Sequence, residues 1–199
     1  MERPSQSDAG SATLVTTTLE GQLREMYGRA AYSHKTHEKM ADQYIRRYKF
    51  IKVTEIVLSA VASSSFLLAL LGDSRAGTLV GSIVSAILLG LTLYFKEAGL
   101  TEKAQAHTEV ASKLWAMREA LLSLLVDIGD AGTPEPIRAR RDELNASLEA
   151  IYRVAPRTNN KAYRAAQKAL KQAEELFFTD DELNKMLPKQ LRVTRNCAH

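Results

Sequence analysis

The sequence predicts an all-α fold in which a two-helix transmembrane hairpin is continuous with a cytoplasmic helical bundle. Two runs without a charged residue, Ile56 to Gly72 and Ala76 to Phe95, hold 17 and 20 residues and are separated only by Asp73, Ser74 and Arg75. Proline is absent between Pro4 and Pro134, and glycine is absent between Gly28 and Gly72 and after Gly132, so long helices meet few breakers. Outside the two runs apolar residues recur in steps of three and four, the spacing of one helix face, and strand signals are missing.

Residues 1 to 15, rich in Ser and Gly with Pro4, read as a disordered leader. A cytoplasmic amphipathic helix is expected over 16–52, with the stripe Leu19, Leu23, Met26, Ala30, His37, Tyr44, Tyr48 and Ile51. It runs on into the first membrane helix, 53–72. After a tight turn the second membrane helix occupies 76–95, and a cytoplasmic helix follows over 96–128 on Leu100, Ala104, His107, Ala111, Leu114, Leu121, Leu125 and Ile128. Gly129, Asp130, Ala131 and Gly132 end it. The C-terminal helices of the bundle fill 133–193. Thr133 is expected to cap a helix with Pro134 at its first position and the stripe Ile137, Leu144, Leu148, Ile151. The next helix steps through Tyr163, Ala166, Leu170, Ala173 and Phe177, and Thr179 to Glu182 form the capped start of a short last one.

At about 1.5 Å per residue the charge-free runs reach roughly 26 and 30 Å, against a hydrocarbon layer of about 30 Å. The alternative is a soluble bundle with its central hairpin buried all round, since 17 residues is the lower edge of the spanning range and Ser63, Ser64 and Ser65 interrupt the first run. A soluble surface helix needs a polar face, and neither run has a charge with which to build one. Arg46, Arg47, Lys49 and Lys52 precede the hairpin, Lys96 and Lys103 follow it, and its tip has Arg75 beside Asp73. The positive-inside rule therefore places both termini in the cytoplasm. A cleavable signal peptide is not expected, because the apolar segment starts more than 50 residues in. Cys197, the only cysteine, has no internal partner, in keeping with a reducing compartment.

The 199 residues carry a formal charge of +4, a modest excess that suits an anionic leaflet and gives no reason to expect nucleic-acid binding. No phosphate loop, nucleophile elbow, HExxH or paired-cysteine motif is present, so no enzymatic activity and no cofactor are expected. Narrow apolar seams on four helices need one another, within a bundle or through oligomeric assembly.

Candidate functional residues fall into three groups. In the hairpin, Glu55, Ser59 and Ser63 are spaced by four, and Thr78, Ser82, Ser85 and Thr92 share a stripe of the second span. They either line a pore or, with Gly77 and Gly81, let helices approach closely. Glu55 at the edge of a span is costly unless neutralised, and Lys52 and Lys96 are placed to do so. Below the membrane His37 and His107 lie on facing seams with His34 one turn away, as a metal or pH switch or as ordinary hydrogen-bonded core histidines. Finally Arg153, Arg157, Lys161, Arg164, Lys168 and Lys171 put several cations on one helix face. They form a solvated surface or an anion site for a nucleotide, a nucleic acid or lipid headgroups, with Arg157 and Arg164 foremost and Lys161 and Lys168 beside them.

An amphipathic helix with Tyr32, His34, His37 and Tyr44, a two-span hairpin, a helix with His107 and Trp115, the segment carrying Tyr152, Ala155, Pro156, Thr158 and Tyr163, and the tail Phe178, Thr179, Asp181, Glu182, Leu187, Pro188 together resemble the SLATT family, the SMODS and SLOG-associating two-transmembrane effector domains. The resemblance spans roughly residues 20 to 193. It implies a bacterial inner-membrane effector in an anti-phage conflict system, forming a pore or disrupting the membrane so that the infected cell dies or arrests. A nucleotide second messenger or a sensor protein would trigger it. The fused architectures of that family carry an added nucleotide-binding domain that is missing here, so the trigger is expected to bind the bundle or a separate partner. The working form is expected to be a homo-oligomer in the lipid bilayer; the alternative is a non-enzymatic membrane-anchored scaffold that docks a cytosolic partner.

Overall fold

The computed structural model describes residues 18–72, 75–128 and 134–192. The leader, Asp73 and Ser74 of the expected hairpin turn, the 129–132 break, the Thr133 cap and Cys197 lie outside the described residues. Among the described residues six α-helices follow in order: α1 (Leu19–Gly72), α2 (Arg75–Ala98), α3 (Leu100–Asp127), α4 (Glu135–Val154), α5 (Asn160–Lys171) and α6 (Asp180–Met186), then a 3-10 turn at Lys189–Leu191. No strand occurs among the described residues.

The amphipathic segment and the first apolar run are one helix. α1 has 54 residues, about 81 Å of uninterrupted rise, and serves as the spine. α2 packs beside its upper part, α3 along its lower part, α5 against the same lower part and α4 mainly on α3. From Ser65 to His37 α1 descends 28 residues while its antiparallel partner advances 26, from Gly81 to His107, so one helix pairing runs through hairpin and bundle alike. Only the partner is jointed. Gly99 sits between α2 and α3 at φ 54°, a left-handed conformation that a Cβ would strain. Beside it the Lys103 ammonium donates to the Ala98 carbonyl at 2.8 Å, satisfying an orphaned acceptor at the end of α2.

The bundle core comprises Leu23, Met26 and Ala30 of α1, Val110, Leu114, Leu121 and Leu124 of α3, and Ile137, Leu144 and Leu148 of α4. These are largely the residues of the sequence stripes. The hairpin has the opposite character: Ile56, Phe66, Leu79, Leu89 and Leu93 are each more than half exposed, and α2 buries no residue at all. A soluble core helix would hide such side chains, so the soluble alternative does not hold; α1 and α2 both contain stretches long and apolar enough to cross a membrane.

The fourth seam differs from expectation. α5 ends at Lys171, so Ala173 and Phe177 are not helical, and its buried residues are Ala162, Ala166, Ala169 and Leu170, with Tyr163 turned outward. The chain reverses because Glu174 takes a positive φ of 47° and Glu175 is drawn to Lys35 and Lys39 on α1, at 2.8 and 3.1 Å. Arg153 closes α4 and Arg157 sits in the connection, so the cationic face of α5 begins only at Lys161. Asn159 caps α5 by accepting from the Ala162 amide at 2.8 Å, and Thr179 with Glu182 forms the capping box expected for α6.

Leu114 is fully buried between three helices. Leu114→Ala is expected to destabilise the fold by about 2–5 kcal/mol, read as a lower unfolding temperature of the detergent-solubilised chain.

Candidate functional site

Antiparallel pairing of α1 with α3 brings His37 and His107 to one level, both at most 5% exposed, with their Nδ1 atoms 2.9 Å apart. A hydrogen bond between ring nitrogens needs one N–H and one lone pair, so one imidazole presents a protonated Nδ1 and the other, with its own proton on Nε2, a bare Nδ1. Tyr44 stacks on His107 with ring centres 5.7 Å apart. His34, one turn from His37, donates through Nδ1 to the Ala111 carbonyl at 3.0 Å, and its Nε2 stands 3.7 Å from Glu38. That turns His34 away from the pair, and no group of three metal-ligating side chains occurs among the described residues. Burial, with His107 and His34 nearby, lowers the His37 pKa from 6.5 to about 4, and burial lowers that of His107 too.

A buried lysine flanks this seam. Burial alone would lower the Lys35 pKa, but the hydrogen bonds its ammonium donates to Glu175 and Glu38 more than reverse this and raise it above the usual lysine value. Lys35 and Lys39 in turn hold the Glu175 carboxyl below the usual carboxylate range. The clamp ties the reversal after α5 to α1, beside a cavity of about 680 Å³ that His34, Lys35, Glu38, Trp115 and Glu175 help to line.

At the hairpin mouth Glu55 pairs with Lys52 at 2.9 Å and accepts from the Thr92 hydroxyl of the facing helix at 3.2 Å. Lys96 does not join this ion pair. Farther along, the Ser63, Ser64 and Ser65 hydroxyls donate to the carbonyls of Ser59, Ala60 and Val61, and Ser82 donates to Thr78, each at 2.9 Å. These hydroxyls are satisfied within their own helices, as an apolar surrounding demands. Gly81 lets the helices meet: a Cβ there would lie 3.3 Å from that of Ser65. Gly77, Thr78, Gly81, Ser82 and Ser85 of α2 with Ala62 and Phe66 of α1 line a cavity of about 520 Å³. Ser59, Ser63 and Thr92 do not line it.

The cations expected to share one face are divided. Arg157 lines a cavity of about 490 Å³ with Tyr32, His37, Tyr152 and Tyr163, Lys161 lines another, and Arg164 and Lys168 are exposed on α5. The Lys35 clamp escaped sequence reasoning, because only the turn after α5 brings Glu175 to it.

A two-span hairpin rooted in a helical bundle, with an ionisable seam just below the apolar segment, defines a membrane-anchored helical domain. The family model for SMODS and SLOG-associating 2TM effector domain family 4 matches residues 19–182, and the chain belongs to that family. No curated protein and no solved structure matches.

Because the His37 pKa is lower folded than unfolded, the unfolded chain takes up the extra proton, and stability is full above about 6.5 and lost as pH falls toward about 4. Unfolding temperature is expected to fall across that window in the parent and to fall less steeply in His37→Gln, as measured by thermal melts in detergent.

Proposed function

We propose that the chain is an effector of a bacterial anti-phage conflict system that oligomerises in the inner membrane, with both termini cytoplasmic, and permeabilises the bilayer once the bundle is triggered. The carrying observation is the continuity of α1, whose lower half holds the histidine seam and whose upper half forms the first span. With no break in that helix, a change of packing at His37 and His107 moves the span with it. The groove at Gly77, Gly81, Ser82 and Ser85 gives a neighbouring hairpin a surface of small residues on which to pack, and the spare hydroxyl lone pairs there would face water once a ring forms. Its trigger is a nucleotide signal or a separate sensor protein acting on the bundle. No catalytic step is required.

Induced in a bacterium, the parent is expected to collapse the membrane potential and admit propidium, and the double variant Ser82→Leu, Ser85→Leu, checked for insertion, to leave both unchanged. An intact potential with the correctly inserted parent, even when its genomic neighbours are co-expressed, would favour a scaffold that docks a cytosolic partner.

A further inference from the structure

Several cations on the described surface have acidic partners: Arg24 with Glu20, Arg29 with Glu25, Lys113 with Glu109 and Arg140 with Glu143. One region departs from this. From Ala150 to Ala173 the chain carries six cations and no carboxylate, Arg153 pairing with Glu149 just outside, and α1 likewise has none between Gln43 and Thr54 while carrying Arg46, Arg47, Lys49 and Lys52, of which Lys52 pairs with Glu55. The fold places these two stretches against each other. Arg46 and Arg47 from α1 and Lys161 from α5 line one cavity of about 530 Å³ with Gln43, Tyr44 and Asn159, and none of the three cations forms an ion pair.

The cavity's polar groups are ordered. Asn159 donates through its side-chain amide to Gln43 at 3.3 Å, which fixes the start of α5 on α1, while its own oxygen caps the Ala162 amide. Lys161 stands in the first turn of α5, where backbone N–H groups have no intrahelical acceptor and the helix dipole adds positive potential. Two guanidinium forks, an ammonium and amide donors around one concavity match the tetrahedral, multiply charged oxygens of a phosphate better than a single carboxylate. Leaving three like charges together without a counter-charge is a self-repulsion that a bound anion relieves.

We infer that Arg46, Arg47 and Lys161 form a binding site for a phosphate group, in monoester or diester linkage, that bridges α1 and the start of α5. Arg46 and Arg47 lie six to seven residues before the span at 53, about 10 Å below its edge at helical rise, within reach of leaflet phosphates and open to soluble ones. The same chemistry serves an anionic phospholipid headgroup or a free phosphate compound. Occupancy would pin α5 to the spine immediately beneath the membrane.

The test uses the full chain in a zwitterionic detergent, with inorganic pyrophosphate as the soluble probe and short-chain phosphatidylglycerol as the lipid probe, phosphatidylcholine being the control. Either phosphate probe is expected to raise the unfolding temperature in a saturable manner that the control does not reproduce. Pyrophosphate acting alone identifies a soluble ligand, and phosphatidylglycerol acting where pyrophosphate does not identifies a lipid. The pair Arg47→Gln, Lys161→Gln should weaken the effective probe by about tenfold or more, as expected for losing charge-assisted contacts, while Arg164→Gln, Lys168→Gln, of equal charge change on exposed positions of α5, should change it by less than about twofold. Equal weakening by both pairs, or no shift of the parent with either probe, overturns the site. Binding is read without reference to membrane potential, so failure here is distinct from failure of the effector function.

Discussion

Everything in this molecule hangs on the antiparallel pairing of α1 with the α2–α3 strand of helices. Hydrophobic burial secures it below, where Leu23 shares one core with Leu114, Leu121 and Leu124, but that driving force vanishes in hydrocarbon, where lipid is as apolar as leucine. The hairpin half is held by close approach at Gly81 and Ser65 and by the polar contact of Glu55 with Thr92. One register therefore spans two solvents, stabilised by a different term in each.

Polar groups are sorted accordingly. Within the apolar segment the Ser63, Ser64, Ser65 and Ser82 hydroxyls turn back on carbonyls of their own helices. In the bundle below it, ionisable groups are grouped by kind: burial keeps two hydrogen-bonded histidines neutral, a buried ammonium is matched by two carboxylates, and a cluster of cations stands unmatched. Neutral histidine suits the seam because two imidazolium ions so close would repel in a poorly hydrated site. The Lys35 clamp has the reverse logic, since removing its carboxylates would leave the ammonium buried without a counter-charge.

Much of the fold was legible because membrane spans and amphipathic stripes depend on composition and period, which a sequence displays directly. Leu100, Ala104, His107, Ala111 and Leu114 all fall where their spacing puts them. Facing positions of His37 and His107 followed from the hairpin geometry alone, although their direct hydrogen bond did not. The end of α5 was hidden: Ala173 and Phe177 continue a good stripe, and helix periodicity cannot register that Glu175 is worth more on Lys35 than in another turn of helix. The basic cavity was hidden for a related reason. Lys161 was visible among its neighbours on α5, but Arg46 and Arg47 are more than a hundred residues away and served in the sequence only to orient the hairpin.

Gly99 makes the two halves of this pairing mechanically unequal. α1 is a single rod, whereas the chain beside it is two rods with a joint at the level where the apolar segment ends. Sliding of α3 along α1 would meet an unbroken spine on one side and be taken up on the other as a change of angle at the joint. Axial displacement in the bundle would thus become tilt of α2, the helix that supplies five of the seven residues lining the small-residue groove.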